Sequence, residues 1–350
     1  MRVLQVAPPW FPVPPTGYGG IEWVVALLAD GLVDAGCEVT LLASGGSRTR
    51  AELRTVFDEP PSANLGDPFH DVVHAAAAYR DRHRYDVVHD HSGIIGPAIG
   101  AFLADPPVVH TLHGPWTPQA RLLYRSLPRD LHLVAISHDQ RSRAPDGLAH
   151  AGVVPNGIPV ERYPLDDRRR GDAGGYLLFL GRANPEKGLT TAITIARRTG
   201  MRLVMAVKRN EPPEHAYWRE VVEPMLSELD VEVLEQVDHA HKAELLAGAE
   251  ATLFPIQWDE PFGLVMTESM ACGTPVLAFA RGAAPEVVVD GKTGVLAAPG
   301  DLDHLVEAVG RLDRIDPVAC REHVAERFSA RTMVDGYLDV YRRVLGRVGA

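Results

Sequence analysis

The sequence predicts an α/β protein built from two doubly wound parallel-sheet domains. Short β-branched runs alternate with helical patterns through both halves of the chain, and this alternation is typical of parallel sheets flanked by helices. The predicted strands are VLQVA, VTLLA, DVVH, VVHTL and LVAIS in the first half, then YLLFLG, RLVMAV, VEVLEQ, ATLFPI and PVLAF in the second. With 350 residues, the chain exceeds one ordinary core and fits two domains of about 150 to 200 residues each.

A polar stretch that contains prolines and glycines sets the predicted domain boundaries. Residues 161–175 predict a linker, so that residues 1–160 form an N-terminal Rossmann-like domain and residues 176–330 a C-terminal one. The last segment, 331–350, carries the amphipathic pattern RTMVDGYLDVYRRVL and predicts a final helix. Ligands of open α/β sheets bind beyond the carboxyl ends of the strands, so we expect the functional residues there.

Composition and charge exclude several classes of protein. The 46 Asp and Glu residues against 35 Lys and Arg give a net charge of −11, which argues against a nucleic-acid binder with a broad basic face. The three cysteines, Cys37, Cys272 and Cys320, lack metal-ligand spacing and predict reduced thiols in a cytoplasmic protein. No 18 apolar residues run unbroken and no signal segment is evident, so we expect membrane contact that is at most peripheral.

A glycine-rich loop follows the first predicted strand. Gly17, Gly19 and Gly20 open a helix whose apolar stripe comprises Val24, Val25, Leu27, Leu28 and Leu32. Glycines here allow a phosphate or sugar to approach the backbone, although a tight strand-to-helix turn would need them equally. The spacing partly matches an NAD fingerprint, but the second strand ends in Ala-Ser-Gly at 43–45, where an NAD ribose-binding acid would be expected. NAD binding is therefore only the runner-up.

The most informative motif is EPFGLVMTE at 260–268, which lies between the predicted strand ATLFPI and a helix closed by Gly273. A helix that begins at Gly263 or Leu264 leaves backbone N–H groups unpaired at one spot, and this favours a bound phosphate. Glu268 falls one turn into that helix, where a ribose diol is the natural partner for its carboxylate. The alternative is a buried helix with one exposed and one loop glutamate.

The paired glutamates and their flanks resemble the signature of the retaining GT-B glycosyltransferases of family 4, in which seven residues separate the two glutamates. Further blocks resemble the family in the same order and span nearly the whole chain: GYGGIEWVV, DVVHDHSG, HTLHG, VPNGI, LGRANPEKG and GAAPEVVVDGKTGVL. The resemblance implies a GT-B fold, with two Rossmann-like domains, an interdomain cleft and a last helix that crosses back to the N-terminal domain.

The resemblance also assigns site residues. Arg182 and Lys187 would hold the diphosphate, and two cations five residues apart can do so without a metal. His113 would lie beside the donor sugar, and the alternative is His110, which we expect on the same face of the same strand. Glu260 would bind the sugar or stabilise its positive ring. The family's donor-binding positions fall here on Gly19, Gly20, Val237, Phe262, Gly263, Leu264, Val265 and Glu268.

Three further features have a local interpretation. His89, Asp90 and His91 are adjacent, which suits metal ligation poorly, and they are interpreted as acceptor-side polar surface. The Asp-x-Asp pattern at 301–303 resembles a glycosyltransferase metal site, yet a helix N-cap with first-turn acids explains it, so no metal is expected. Two basic runs, 80–84 and Arg121, Arg125 and Arg129, are most simply solvated helix faces.

The resulting hypothesis is a metal-independent retaining glycosyltransferase that needs no cofactor. It would transfer a hexose from a nucleotide diphosphate sugar to a hydroxyl of a saccharide or glycoside acceptor, with α linkage. Asp238 could accept hydrogen bonds from guanine, so GDP-mannose is favoured over UDP-glucose or UDP-N-acetylglucosamine. A homodimer is an option for the assembly. The competing classes are a nucleotide-sugar epimerase and a non-catalytic nucleotide-sugar-binding protein.

Overall fold

The structure, a computed structural model, describes residues 1–15, 17, 19–103, 105–128, 131–167, 175–235 and 237–346. The chain divides into two compact units, of which the first comprises Met1–Gly157 with Ala330–Ala350 and the second Ile158–Ser329. The described residues of the predicted linker, 161–167 and 175, belong to the second unit, and its residues 168–174 lie outside the described part of the chain.

The first unit contains a parallel sheet with the order β3-β2-β1-β4-β5-β6-β7. Its strands are β1 (Arg2–Val6), β2 (Glu38–Ala43), β3 (Glu52–Thr55), β4 (Val87–Asp90), β5 (Val108–Leu112), β6 (His132–Ala135) and β7 (His150–Val153). Its helices are α1 (Gly20–Asp34), α2 (Pro68–Arg80), α3 (Ile95–Gly100), α4 (Pro118–Ser126), α5 (His138–Ser142) and α13 (Ala330–Val344). The strand order reverses between β1 and β4, where open α/β sheets bind their ligands.

The second unit contains a parallel sheet with the order β10-β9-β8-β11-β12-β13. Its strands are β8 (Tyr176–Arg182), β9 (Arg202–Lys208), β10 (Val231–Glu235), β11 (Ala251–Phe254), β12 (Val276–Phe279) and β13 (Gly294–Ala297). Its helices are α6 (Leu189–Thr199), α7 (Pro212–Tyr217), α8 (His239–Gly248), α9 (Leu264–Ala271), α10 (Ala284–Val287), α11 (Leu302–Val309) and α12 (Pro317–Arg327). Here the order reverses between β8 and β11.

The two sheets confirm the predicted pair of Rossmann-like domains and the α/β class. The ten predicted strands all form, and the structure adds β3, β7 and β13, each at the edge of its sheet. These three strands carry the sequences ELRT, HAGV and GVLA, without the β-branched apolar runs of the central strands. An edge strand needs less apolar surface than a strand buried on both faces.

Helix α13 packs within the first unit against α1. A Cβ atom on Gly31 would lie only 2.5 Å from Cγ2 of Val334. Because glycine has no side chain, the two helices can approach closely at this position. The rings of Tyr337 and Tyr341 on α13 are fully buried. Their apolar bodies stabilise the packing, and their hydroxyl groups need partners inside the unit.

Neither a membrane-spanning helix nor a metal-binding cluster is found among the described residues. None of their helices is both long and apolar enough to cross a bilayer. Within the same residues, no group of three or more His, Cys, Asp and Glu side chains is arranged to hold a metal ion. Asp301 instead caps α11 by accepting from the His304 amide at 3.1 Å, as the helix-cap interpretation predicted.

Candidate active site

The N-terminus of α9 has the geometry expected of an anion-binding loop. The helix begins at Leu264, directly after Gly263, whose φ of 86° lies in the left-handed region. A Cβ atom on Gly263 would lie 2.8 Å from atoms of both Met266 and Phe254, so glycine is required by conformation and by space. No side chain of the described residues caps this helix. The first amides of α9, including those of Leu264 and Val265, are therefore suited to an anion.

Phe262 lies just before this turn, but its ring points into the unit. It is buried and packs edge-on against Phe328, with 5.7 Å between ring centroids. The ring therefore has a packing contact inside the unit, and a donor-binding role for Phe262 stays a prediction.

Glu268 lies one turn into α9 and is almost fully buried. Its Oε1 atom accepts hydrogen bonds from the Tyr163 hydroxyl at 2.9 Å and from Lys242 Nζ at 2.6 Å. Burial, together with the Glu268 carboxylate, raises the pKa of Tyr163, so the hydroxyl stays protonated and donates. Sequence reasoning missed Tyr163, because no local pattern connects it to a residue more than a hundred positions away.

Lys242 also places the loop after β10 beside Glu268, since it lies in the first turns of α8. Val237 belongs to that loop and is half-buried, whereas its neighbour Gln236 lies outside the described residues. Asp238 caps α8 by accepting from the His241 amide at 2.8 Å. This cap explains Asp238 structurally, and it weakens the sequence argument for guanine.

Lys187 and Glu260 form an ion pair, with Nζ 2.5 Å from Oε2. Lys187 lies in a short 3-10 turn, Pro185–Lys187, that follows β8, and Glu260 lies in the loop after β11. The same two loops are joined by the Gln257 amide, which donates to the Glu186 carbonyl at 2.7 Å. Lys187 Nζ also lies 5.0 Å from the centre of the Trp258 ring. The pair therefore lies at the reversal point of the second sheet, close to the start of α9.

Arg182 is the last residue of β8 and already has two acidic partners. Its Nη2 lies 2.6 Å from Glu211 Oε1, and its Nε donates to Glu214. Burial acts to raise the pKa of Glu214, but the amides of Asn210 and Glu211 and the Arg182 guanidinium outweigh it and lower that pKa. Glu214 is buried while Glu211 is exposed, so Glu214 is the partner that fixes the orientation of the guanidinium.

Sequence reasoning did not select Glu214. The signal that could have found it is the Glu-Pro-Pro-Glu pattern at 211–214, which forms a capping box at the start of α7. That pattern predicts a helix start, and a helix start directly after β9 belongs to the same sheet edge as Arg182.

In the first unit, the glycine loop after β1 leads into α1, which begins at Gly20. A Cβ atom on Gly19 would lie 2.8 Å from both Glu22 Oε2 and Pro15 Cγ, so the loop depends on the missing side chain. Tyr18, inside the motif, lies outside the described residues. Glu22 is buried at the start of the helix and was not predicted as a site residue.

The cluster His89, Asp90 and His91 was wrongly interpreted as polar surface. All three side chains are buried, because β4 is a central strand that lies between β1 and β5. Asp90 accepts from the Tyr79 hydroxyl at 2.6 Å and from both the amide and the hydroxyl of Ser92. Burial raises the pKa of Asp90 to about 6 against the lowering effect of these hydrogen bonds.

His113 lies just beyond β5 and is half-buried. Its Nε2 lies 3.0 Å from Nδ1 of His91, and burial lowers the pKa of His113 to about 4. His110, the alternative, was expected on the same face, but it lies three positions earlier and bonds Tyr124 at 2.8 Å instead. Alternation along a strand sends positions an odd number apart to opposite faces.

Comparisons with known proteins agree with the fold and the motifs. Residues 18–162 match the family model for Glycosyltransferase Family 4, and residues 167–321 match that for Glycosyl transferases group 1. The chain is 28% identical to the glycogen synthase of Mycobacterium tuberculosis, over 97% of this chain and 94% of that protein. It is 28% identical to the phosphatidyl-myo-inositol mannosyltransferase of Mycolicibacterium smegmatis, over 99% and 95% respectively.

The crystal structure of AviGT4, a glycosyltransferase involved in avilamycin A biosynthesis, is also similar. It superposes with a TM-score of 0.73 at 28% identity and covers 100% of this chain and 99% of its own. Two Rossmann-like units and these matches define the protein as a GT-B glycosyltransferase that acts with a nucleotide sugar. Within that class, the chain belongs to the glycosyltransferases of the family 4 type.

Proposed function

We propose that this enzyme transfers a hexose from a nucleotide diphosphate sugar to a hydroxyl of a saccharide or glycoside acceptor, with retention, with α linkage and without a metal ion. The observation that carries the proposal is the Lys187–Glu260 ion pair beside the uncapped start of α9. It combines a cation for the diphosphate, a carboxylate for the sugar and free amides for a phosphate. We further propose that the second unit binds the donor and the first unit the acceptor.

The diphosphate is held by charge and by backbone amides. Lys187 supplies a point charge and Arg182 a planar fork, and the amides at Gly263, Leu264 and Val265 receive the distal phosphate. Glu260 and Glu211 pair with the two cations, and donor binding would exchange a carboxylate for a phosphate at each. Two basic groups and a helix N-terminus neutralise the diphosphate charge that a metal ion would otherwise neutralise.

The ribose belongs one turn further along α9, at Glu268, and the base lies beyond it. Among the described residues, the hydrogen bonds to Glu268 come from Tyr163 and Lys242 and both end on Oε1, which leaves Oε2 for a ribose hydroxyl. Val237 belongs to the loop that Lys242 brings beside Glu268, and that loop is where the base would lie. In the first unit, Gly19 and Gly20 supply the loop that family 4 enzymes use against the donor and the acceptor.

The chemical step follows from where charge develops. As the diphosphate leaves, Lys187 and Arg182 stabilise its growing negative charge, and Glu260 stabilises the positive sugar ring. A phosphate oxygen of the leaving group takes the acceptor proton on the same face, so the configuration at the anomeric carbon is retained. His113, neutral because burial lowers its pKa to about 4, hydrogen-bonds a hydroxyl of the donor sugar.

GDP-mannose is the first candidate donor and UDP-glucose the second. The similarity to a mannosyltransferase supports the first. The similarity to a glycogen synthase supports a glucosyl donor. The two candidates differ in base and in sugar, so one ligand panel separates them.

A thermal-shift panel tests the proposal. It would contain GDP, UDP, ADP and their glucose, mannose and N-acetylglucosamine conjugates, all with EDTA, since a ligand that binds the native state raises its stability. A rise with one base and a further rise with one of its hexose conjugates would support the proposal. A rise only after excess magnesium replaces EDTA would refute the metal-free site, and no rise with any nucleotide would refute the donor class.

A further inference from the structure

A chain of buried polar side chains connects α13 to His113 inside the first unit. Its members lie on β1, β4, β5 and α13 or, for His91, directly after β4, and they are Gln5, His89, His91, Thr111, Tyr337 and Tyr341. Every one of these six side chains is buried. Burying a polar group costs free energy unless it is hydrogen-bonded, so the bonds among them are a requirement of the fold.

The Gln5 amide determines which atoms donate in its hydrogen bonds towards Tyr341 and His89. Gln5 Nε2 donates to the Tyr341 oxygen at 2.8 Å, so the Tyr341 hydroxyl must give its own proton elsewhere. The acceptor is His89 Nδ1, which lies 2.6 Å from that oxygen. His89 therefore carries its proton on Nε2, which lies 2.7 Å from Thr111 Oγ1.

The same amide fixes the second branch through its oxygen. Gln5 Oε1 lies 2.9 Å from His91 Nε2 and can only accept, so His91 carries its proton on Nε2. His91 Nδ1 is then an acceptor, and it lies 3.0 Å from His113 Nε2. Burial lowers the pKa values of His89 and His91 well below the ordinary value, so both rings are neutral and each has one donor and one acceptor nitrogen.

We propose that Gln5, anchored by Tyr341, is a positioning residue that holds His113 in its Nε2–H tautomer and leaves Nδ1 as an acceptor for a donor-sugar hydroxyl. No described residue other than His91 forms a hydrogen bond with the His113 ring, so Nδ1 is available for a ligand. The contact with the sugar rests on the proposed function. The tautomer itself does not, because it follows from the bonds within the first unit.

The opposite orientation of the Gln5 amide predicts the opposite tautomer of His113. If the Gln5 amide were rotated by half a turn, every proton along the chain would move to the other nitrogen, and His113 would present Nδ1–H as a donor. A protonated Nδ1 of His113 would donate a hydrogen bond to a sugar oxygen, whereas an unprotonated Nδ1 accepts one from a sugar hydroxyl. The protonated nitrogen of His113 therefore decides between the two.

The first measurement is ¹⁵N NMR of the full chain with labelled histidine, assigned by comparison with His113→Asn. Ring-nitrogen shifts separate protonated from unprotonated nitrogen. We expect a single tautomer of His113, with the proton on Nε2. A proton on Nδ1, or an equal mixture of the two forms in the wild-type protein, would overturn the proposal without any assumption about the substrate.

Two variants then test the role of Gln5. Gln5→Met keeps the side-chain length but removes the hydrogen bonds of the amide to Tyr341, His89 and His91, and we expect a mixed His113 tautomer. Tyr337→Phe is the matched control, because it removes a buried hydroxyl on the same helix that bonds only Thr111, at 2.9 Å. We expect it to leave the His113 tautomer unchanged. If Gln5→Met fails to fold, Tyr341→Phe replaces it, since that change removes the anchor of the amide.

Calorimetry separates this inference from the proposed function. The probes are GDP-mannose against GDP and UDP-glucose against UDP. Loss of one neutral hydrogen bond of about 1 kcal/mol predicts that Gln5→Met binds the sugar conjugate about fivefold more weakly, with unchanged affinity for the bare nucleotide. An equal loss for both ligands would indicate a merely structural role and overturn the proposal. A correct tautomer with no loss for the conjugate would refute the sugar contact of His113.

Discussion

Lys187 Nζ lies 2.5 Å from Glu260 Oε2, so the cation that we propose for the diphosphate is paired with the carboxylate that we propose for the sugar. Both side chains are mostly shielded from solvent, where a paired charge costs less than a single one. The pair holds the two side chains close together. A donor that carries both a diphosphate and a sugar can replace the pair with one contact for each member.

Removal of the Lys187 charge should weaken the binding of nucleoside diphosphates. A charge-assisted hydrogen bond is worth about 1.5–3 kcal/mol, so we expect Lys187→Gln to lose about 10- to 100-fold in affinity. Isothermal calorimetry with GDP and UDP measures the loss. Lys292→Gln is the matched control, because Lys292 is exposed in the turn before β13. Equal affinities of the two variants would contradict the role of Lys187.

The two acidic partners of Arg182 should differ in their effects. Glu214 is buried and also accepts the amides of Asn210 and Glu211, whereas Glu211 is exposed on the outer side of the guanidinium. We expect Glu214→Gln to lower donor affinity, because Arg182 loses its fixed orientation. Glu211→Gln should leave affinity unchanged or raise it, because it removes a competing anion. A larger loss in Glu211→Gln, measured by the same titrations, would reverse this assignment.

Gly263 should matter for binding as well as for stability. Its φ of 86° and the short distances of a Cβ atom to Met266 and Phe254 predict that Gly263→Ala costs about 1–3 kcal/mol or more of stability. Gly200→Ala is the control, since Gly200 has a φ of 69° with open space around it. Denaturant unfolding should show a loss in both variants, but only Gly263→Ala should also lose nucleotide affinity. Unchanged affinity in that variant would contradict the anion site at α9.

Buried histidines should make the protein sensitive to acid. Burial lowers the pKa of His74 to about 4 and that of His110 to about 3, from 6.5 for each in the unfolded chain. The unfolded state therefore binds more protons between pH 6.5 and those values, so stability is full above pH 6.5 and falls as the pH drops. The slope approaches about 1.4 kcal/mol per pH unit for each histidine.

Urea unfolding at several pH values measures that slope. His74→Gln should reduce it, because the variant has no group to protonate at that buried position. His304→Gln is the control, since His304 lies on the exposed side of α11. A slope that is the same in wild type and in His74→Gln would show that His74 does not stay neutral in the native state.

The central strands and the α9 motif could be predicted from sequence, because their signals are local. Apolar runs mark strands that are buried on both faces, and Gly263 between a strand and a helix marks the anion loop. The edge strands β3, β7 and β13 escaped prediction because an edge needs no such run. The burial of His89 and His91 also escaped, because polar side chains were expected at the surface and their partners come from α13, far along the chain.

For the candidate site, motifs predicted the residues but not the ion pairs between them. Glu260, Glu268, Lys187 and Arg182 were found through motifs, yet the ion pairs that join them to each other and to Glu214 were not. A motif indicates which residue types meet a ligand, whereas their resting partners depend on which strands are neighbours. The sheet order, with β8 beside β11, is what brings Lys187 to Glu260.

The proposed active site depends most directly on the separate roles of Glu260 and Glu268. Glu260→Gln and Glu268→Gln should be compared by donor titration and by the rate of sugar transfer or donor hydrolysis. We predict that Glu260→Gln keeps its affinity for the nucleotide but loses about 10²–10³ in rate, as expected when a group that stabilises developing charge is removed. Glu268→Gln should instead lose affinity. Full activity in Glu260→Gln would contradict the proposed site.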